Sequence, residues 1–195
     1  MDELTVLRYG NTNTVFLRGG LLIDTDMAGT LQAFYRAIKS RGIRVSDIRY
    51  LLATHYHPDH MGLAGELTEM GVRLLLVDVQ REYVHFSDRI FARDKRLNYR
   101  PVDESRAEII TCSGSRRFLA GLGISGEIVP TPSHSPDSVS VILDSGCCIV
   151  GDLEPSEYLD AYEDNPALQR DWELINSFSP KRIIYAHANE KCPDL

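Results

Sequence analysis

Short apolar runs and helix-forming segments alternate along the 195 residues of this chain. The runs IRYLLAT, VRLLLVD and CCIVGD are typical of buried strands, because they are short, apolar and bounded by turn-forming or polar residues. Between them, apolar residues recur at helical spacing, as they do at Leu31, Phe34, Tyr35 and Ile38. This interleaving predicts a mixed α/β (α+β) protein in which two mixed sheets pack face to face with helices on the outside.

Turn residues and periodicity predict the remaining elements. A β-hairpin is expected around Gly19-Gly20, with residues 15–17 leading in and residues 21–23 leading out. Further strands are predicted over residues 107–111, 126–132, 138–144 and 182–187, and helices over residues 27–43, 61–71, 115–123 and 166–178. Since no linker or repeat divides the chain, we expect a single domain over residues 1–195.

Residues 80–100 interrupt this alternation with a helical pattern rich in arginine and aromatic residues. One interpretation is a helical insertion that forms a lid or pocket wall for an anionic substrate, contacted by Tyr83, Arg89 and Arg93. The alternative is an amphipathic helix that packs its aromatics on the core or on a second subunit, as in a homodimer, with its charges in water. His85 is expected to be a surface residue.

Charge and composition argue against several classes of function. The formal net charge is -7 and no long basic run is present, which argues against nucleic acid as the partner. The N-terminus lacks the apolar core of a secretory signal, and no window has the roughly 18 apolar residues of a membrane span. Because no cysteine pair has disulfide-scaffold or metal-binding spacing, we expect reduced thiols and a cytoplasmic location. The cysteines are Cys112, Cys147, Cys148 and Cys192.

Half of the histidines of the chain lie in the segment THYHPDHMG. His55 and His57 are two residues apart, so they project from the same side of an extended chain. Pro58 ends the extended segment, and Asp59 and His60 then fall in the first turn of a helix, where a carboxylate is favoured. A polar loop with solvated histidines is the alternative, but four potential ligands within six residues indicate a site for zinc, iron or manganese.

Three further ligand types each follow a predicted strand. His134 comes after GEIVP, Asp152 directly after CCIVG, and His187 after RIIYA. Strand ends on one edge of a layered fold converge in space, which is where binding sites on loops are built. Singly, each residue is equally well explained as a turn residue, but together they predict completion of a metal site.

These seven residues, in their order and context, resemble the metallo-β-lactamase superfamily, and the resemblance covers essentially the whole chain. It implies a four-layer αβ/βα sandwich and the hydrolase branch that includes type II glyoxalases and lactonases. By that resemblance the first metal would be held by His55, His57 and His134. The second would be held by Asp59, His60 and His187, and Asp152 would bridge both ions. Asp24 matches a family aspartate that supports the histidine loop.

Departures from the family pattern narrow this expectation. Ser133, Asp137 and Asp26 stand where glycines are common, and Asp137 adds a carboxylate near the site. Members that act on β-lactams commonly lack an aspartate at the position of Asp152, and the flavin-linked diiron members have glutamate at that of His57. The chain ends before the C-terminal helical domain with which type II glyoxalases bind glutathione, so that mode of recognition is not expected.

The resemblance implies two divalent ions, zinc in the first place, and a bridging hydroxide that attacks a small ester, thioester or lactone. Asp59 and Asp152 are the candidate catalytic carboxylates, and Tyr158 is a candidate donor to a substrate oxygen. One alternative is a persulfide dioxygenase-like oxidoreductase with one iron on His55, His134 and Asp152. Phosphodiester hydrolysis and a non-enzymatic metal-binding module are the others.

Overall fold

The structure is a computed structural model that describes residues 4–159 and 165–191. Within them the strands are β1 Leu4–Arg8, β2 Asn13–Leu17, β3 Leu21–Ile23, β4 Tyr50–Leu52, β5 Arg73–Val77, β6 Glu108–Ile110, β7 Gly126–Pro130, β8 Val139–Leu143, β9 Cys147–Gly151 and β10 Arg182–Tyr185. The α-helices are α1 Leu31–Ser40, α2 Pro58–Met61, α3 Ala64–Glu69, α4 Asp88–Phe91, α5 Cys112–Gly121 and α6 Pro166–Ser177. Cys192 lies outside the described residues.

The first sheet has the strand order β1-β2-β3-β4-β5-β6. Strands β1, β2 and β3 form an antiparallel meander, and the predicted hairpin is confirmed by the pairing of Leu17 with Leu21 across a turn in which Gly20 has φ +89°. Strands β3 to β6 then run parallel to one another. Because Ile23 pairs with Leu52, the chain segments after β3 and β4 leave the sheet at the same edge.

The second sheet has the strand order β10-β9-β8-β7. Strands β7, β8 and β9 are antiparallel, whereas β10 runs parallel to β9. A register shift near the end of β10 pairs Tyr185 with Gly151. The residues that follow β9 and β10 therefore emerge side by side.

Three apolar clusters define the four layers. Leu74 and Leu76 of β5 pack with α1 to α3 on the outer face of the first sheet. Leu75 and Val77 face the opposite way, into a central cluster shared by the two sheets. Buried on both faces, β5 is an uninterrupted apolar run instead of an alternating one. A third cluster packs Trp172 and Ile175 of α6 on the outer face of the second sheet. The predicted αβ/βα sandwich is confirmed.

The helix predicted over residues 61–71 is divided in two. Helix α2 begins at Pro58 and α3 begins at Ala64, with Gly62 between them. A Cβ atom at Gly62 would lie 2.2 Å from the backbone nitrogen of Ala28, so the chain passes here too closely for any side chain. The break lets α2 stay short beside the sheet edge while α3 packs against β5.

Residues 80–100 differ from a continuous helix. They begin with Gln80, the last residue of a 3-10 helix over Asp78–Gln80, and contain the single α-helical turn of α4 and a 3-10 helix over Lys95–Leu97, with turns and irregular backbone elsewhere. Val84 and Phe91 are buried, and Phe91 stacks on Tyr99 with ring centroids 4.2 Å apart. Most of the aromatic side chains thus pack on the core, as the alternative interpretation required, because burying them stabilises an otherwise irregular segment.

Within the described part of the chain, no helix has the length and apolar character needed to cross a bilayer. Cys112, Cys147 and Cys148 are free thiols, and the last two are buried in β9 as small strand residues.

Candidate metal centre

The histidine segment lies at the carboxyl edge of the first sheet. Strand β4 ends at Leu52, and Pro58 opens α2 after an extended His57 with φ −72° and ψ 154°. His55 and His60 are buried, and their ring centroids are 4.0 Å apart. Proline suits the first position of a helix because its missing N–H would have no partner there. The sequence therefore folds this loop so that its imidazoles point to one place.

The three later candidates reach the same place from the second sheet. His134 Nε2 lies 3.1 Å from His57 Nδ1, and Asp152 follows the last residue of β9. His187, two residues after β10, places its Nε2 3.2 Å from an oxygen of Asp59. The structure thus brings together all seven side chains that the sequence singled out.

Asp152 lies between two groups of these side chains. Its Oδ2 is 3.8 Å from His55 Nε2 and 3.6 Å from His134 Nε2. Its Oδ1 is 3.2 Å from both His60 Nε2 and His187 Nε2. In three sets the potential ligand atoms all lie within 4.8 Å of one another: His55, His57 and His134; His55, His60 and Asp152; and Asp59, His60 and His187.

Several of these atoms are suited to a cation. His55 Nε2, His60 Nε2 and Asp152 Oδ1 are buried and have no hydrogen-bond partner among the described residues. The last two approach to 3.2 Å without hydrogen-bond geometry, so proximity alone does not satisfy them. Buried polar atoms without partners are costly, and coordination of a metal ion by imidazole and carboxylate removes that cost. The residues present therefore fit a metal ion.

Asp24 supports the histidine segment from the end of β3. Its Oδ1 accepts a hydrogen bond from Thr54 N at 2.6 Å, and its Oδ2 accepts one from Thr54 Oγ1 at 2.9 Å. The same Oδ2 is 3.0 Å from His60 Nδ1, which fixes the ring with Nε2 towards Asp152. Asp24 has φ +57°, a conformation that aspartate tolerates better than most residues.

The loop between β1 and β2 supports the opposite side of the site. The carbonyl oxygen of Asn11 is 3.1 Å from His187 Nδ1, and Thr12 Oγ1 donates to the carbonyl oxygen of Asp59 at 2.7 Å. Asp26 holds this loop by accepting from Thr12 N. Sequence reasoning missed Asn11 and Thr12, because a polar turn such as GNTNT carries no signal of its distant partners.

Asp137 places its carboxylate near the site, as the sequence predicted, and binds the backbone of the histidine segment. Its carboxylate accepts from Tyr56 N at 2.7 Å and from Ser135 Oγ at 2.8 Å, so it ties the histidine segment to the loop of His134. Gln80, another residue that the sequence did not single out, donates to the carbonyl oxygens of Ala53 and Asp137 at 2.9 and 3.2 Å. Asp137 thus holds the two loops together.

The candidate substrate contacts are scattered. Tyr83 is half-buried against the core, whereas Arg89, Arg93 and Tyr158 are exposed. Within residues 4–159 and 165–191, no lysine or arginine forms an ion pair with a candidate ligand. A cavity of about 230 Å³ adjoins the site and is lined by Ser133, His134, Glu154, Asn165 and Leu168.

The protonation of the cluster differs between its two sides. Burial, together with neighbouring imidazoles, lowers the pKa of His55 and His57. The carboxylates of Asp152 and Asp59, each with an oxygen 3.2 Å from Nε2 of His187, raise the pKa of His187 to about 11. Burial opposes protonation of His60, but Asp24 and Asp152 outweigh it and raise that pKa. A cation held between these residues would compete with protons for Nε2 of His60 and of His187.

The pattern of ligands and layers agrees with comparisons against known proteins. The chain is 25% identical over 181 residues to the "Beta-lactamase-like protein 2 homolog" of Drosophila melanogaster, a match covering 91% of this chain and 59% of that relative. The chain therefore spans about three-fifths of that relative's length.

Solved structures show the same fold. A metallo-beta-lactamase family protein of Thermus thermophilus superposes with TM-score 0.74 at 18% identity, covering 97% of this chain and 75% of that one. A metallo-beta-lactamase superfamily protein of Sulfolobus tokodaii superposes with TM-score 0.67 at 17% identity, covering 99% of this chain and 82% of that one. The sequence model of the Metallo-beta-lactamase superfamily matches residues 7–187, and on that match the chain belongs to this superfamily.

Proposed function

We propose that this protein is a hydrolase that uses two divalent metal ions, zinc in the first place, on a small ester, thioester or lactone. The observation that carries the proposal is the position of Asp152. One of its oxygens faces His55 and His134, and the other faces His60 and His187. A carboxylate placed in this way can serve two ions at once. Iron and manganese accept the same ligand types.

The ligands divide between the two ions by proximity. His55, His57 and His134 would hold the first ion, and Asp59, His60 and His187 the second, with Asp152 shared. When bound, a pair of divalent ions lowers the pKa of water towards neutrality and polarises a substrate carbonyl. The unsatisfied buried nitrogens of His55 and His60 are the strongest support for this division.

The residues of the chain would supply orientation and proton transfer. Asp59 is the more open of the two carboxylates, since its side chain is 33% exposed against 16% for Asp152. It can therefore orient an attacking water and accept its proton, whereas Asp152 remains a ligand. Asp24 and the Asn11 carbonyl would keep His60 and His187 in the tautomer whose Nε2 is available.

A mononuclear iron oxidoreductase is the second candidate. It is supported by the group of His55, His134 and Asp152, in which an Asp152 oxygen lies within 3.8 Å of both imidazole nitrogens. That set alone would suffice for one iron with open positions. It leaves Asp59 and His187 without a role, and for this reason we favour the hydrolase.

For either chemistry we propose a small-molecule substrate, without nucleic acid or a membrane as partner. The formal charge of -7 supports this choice. Arg89 and Arg93 are exposed and could bind an anionic group, so an anionic substrate stays a prediction. A homodimer and a cytoplasmic location also stay predictions.

Metal content per chain is the deciding experiment, on protein purified without chelator after growth with both zinc and iron. We expect two metal ions per chain, both lost from an Asp152→Ala variant, and hydrolysis of members of an ester, thioester and lactone panel. A β-lactam in the panel should not be turned over. A single iron that is retained after His187→Ala would contradict the proposal and favour the oxidoreductase.

A further inference from the structure

We infer that Phe86 forms one wall of the substrate site and that this wall binds an apolar acyl group of the substrate. The inference rests on the proposed hydrolase function and names the class of substrate within it. Phe86 is one of the aromatic residues of the segment 80–100, and the proposed mechanism gives it no role.

Phe86 is an exposed aromatic residue beside the candidate ligands. Its ring centroid is 5.5 Å from that of His57, with 39° between the ring planes, and the residue is 53% exposed. His57 in turn contacts His134, with ring centroids 5.0 Å apart. An apolar ring that remains open to water next to a polar cluster offers binding free energy to any ligand that covers it.

The segment that carries Phe86 is fixed and does not have the features of a loose lid. The neighbouring Ser87 is buried, and its Oγ donates to the carbonyl oxygen of Tyr56, the residue between His55 and His57, at 2.6 Å. Val84, two residues before Phe86, is also buried. Tyr99 donates to Asp88 at 2.6 Å. Phe86 is therefore held at a defined place beside the metal ligands, as a specificity-determining residue requires.

The ring of Phe86 carries no charge that would bind an anionic group, so an anionic part of the substrate would bind at Arg89 or Arg93 instead of at this wall. His85 lies 3.0 Å from Asp88, so a positive charge on His85 would already be paired. Arg89 is exposed and, among the described residues, forms no ion pair with a candidate ligand. A substrate group leaving the site along the His57 side would therefore meet an aromatic face first. Aromatic or extended aliphatic acyl groups match that surface.

The occupant is assigned to the substrate and not to a second copy of the chain because the ring touches His57 itself. A partner subunit seated on Phe86 would also cover the open side of that imidazole. Oligomeric state is therefore part of the test.

The experiment uses zinc-loaded protein and thioesters that share one small leaving group, N-acetylcysteamine, while the acyl group is acetyl, butanoyl, phenylacetyl or succinyl. We expect Phe86→Ala to lower kcat/KM for the phenylacetyl thioester by about 10- to 100-fold and to change the acetyl thioester by less than about threefold. Phe86→Leu should restore part of the loss.

Met70→Ala is the matched control and should change none of these values. Met70 is 43% exposed, similar to Phe86, but it precedes the start of β5, at the edge of the sheet opposite to the site. A second readout is calorimetric binding of phenylacetate, which should weaken about tenfold in Phe86→Ala, while acetate binding should not change.

Equal losses for all acyl groups, a preference for the succinyl thioester, or a change from dimer to monomer in Phe86→Ala would overturn the inference. If the native protein hydrolyses no thioester, ester or lactone, the proposed function fails. The phenylacetate measurement still decides the role of Phe86 in that case, so the two failures are distinguishable.

Discussion

Asp26 accepts a hydrogen bond from the backbone nitrogen of Thr12 at 3.2 Å and thereby joins the end of β3 to the loop between β1 and β2. That loop carries the Asn11 carbonyl, which contacts His187, and the Thr12 hydroxyl, which contacts the backbone of Asp59. Asp26 therefore fixes one side of the candidate centre.

Replacing Asp26 by glycine should weaken the ion held by Asp59, His60 and His187 and leave the other ion in place. Removing the acceptor leaves the Thr12 N–H buried without its partner, which costs about 1–3 kcal/mol and frees the loop. Stepwise metal titration followed by calorimetry would measure the two affinities separately.

A second perturbation of the same contact provides the control. A Cβ atom at Gly10 would lie 1.8 Å from Asp26 Oδ2, so Gly10→Ala should displace the same loop and weaken the same ion. Equal weakening of both ions in Asp26→Gly and Gly10→Ala would show that the loop acts on the fold as a whole and not on one half of the site.

Asp24→Asn should reduce metal affinity by about 10- to 100-fold with little change in shape. The amide oxygen must accept from Thr54 N, so the amide nitrogen faces His60 Nδ1 and makes that nitrogen an acceptor. The proton then moves to His60 Nε2, the atom that faces Asp152. Competition with a chromophoric chelator measures the change.

The control for that variant is Asp144→Asn, which removes one exposed carboxylate from its pair with Arg116. It should leave the metal affinity within about twofold, because screened surface pairs contribute little. Unchanged affinity in Asp24→Asn would refute the tautomer argument.

Gly62→Ala should destabilise the protein by about 1–3 kcal/mol or more, because its Cβ would overlap the backbone of Asp26, Met27 and Ala28. Gly121→Ala is the matched change, since nothing lies within 4 Å of its Cβ position and it ends helix α5 without a positive φ. We expect that variant to be stabilised by up to about 1 kcal/mol. The midpoint of urea denaturation should fall in Gly62→Ala and rise in Gly121→Ala. An unchanged free energy of unfolding in Gly62→Ala would contradict the close backbone approach at this position.

Removing metal should lower the thermal stability of the protein. An ion present at about 1,000 times its Kd stabilises the folded state by about 4 kcal/mol if it does not bind the unfolded chain. Differential scanning calorimetry with and without chelator should therefore show a drop in Tm that zinc reverses. Asp152→Ala protein should show almost no drop, whereas a drop of the same size would place the ion elsewhere.

The sequence predicted the elements whose signals are local. The hairpin at Gly20, the apolar strands such as β5 and the proline at the start of α2 follow from turn chemistry and periodicity, and each is found. The ligand positions followed from residue types at strand ends. Their convergence at one edge is what parallel neighbours such as β3 with β4 and β9 with β10 produce.

The contacts that support the candidate ligands could not be predicted from the sequence, because their partners lie far apart in the chain. Thr12 meets Asp59 across 47 positions of the chain, and His187 meets Asn11 across 176. No spacing rule connects residues so far apart. In residues 80–100 apolar residues recur at helical spacing, but they reach the core from turns and short helical pieces. Val84, Ser87 and Phe91 are therefore buried although no continuous helix is present.

The pairing of β10 with β9 also has a consequence for the order of assembly during synthesis. His187 is among the last described residues, and it completes a cluster that begins at His55. A nascent chain on the ribosome can expose the early imidazoles long before the final strand is available to add to its sheet. Contacts of such large sequence separation form late and slowly, so full metal loading should follow the addition of β10 to its sheet.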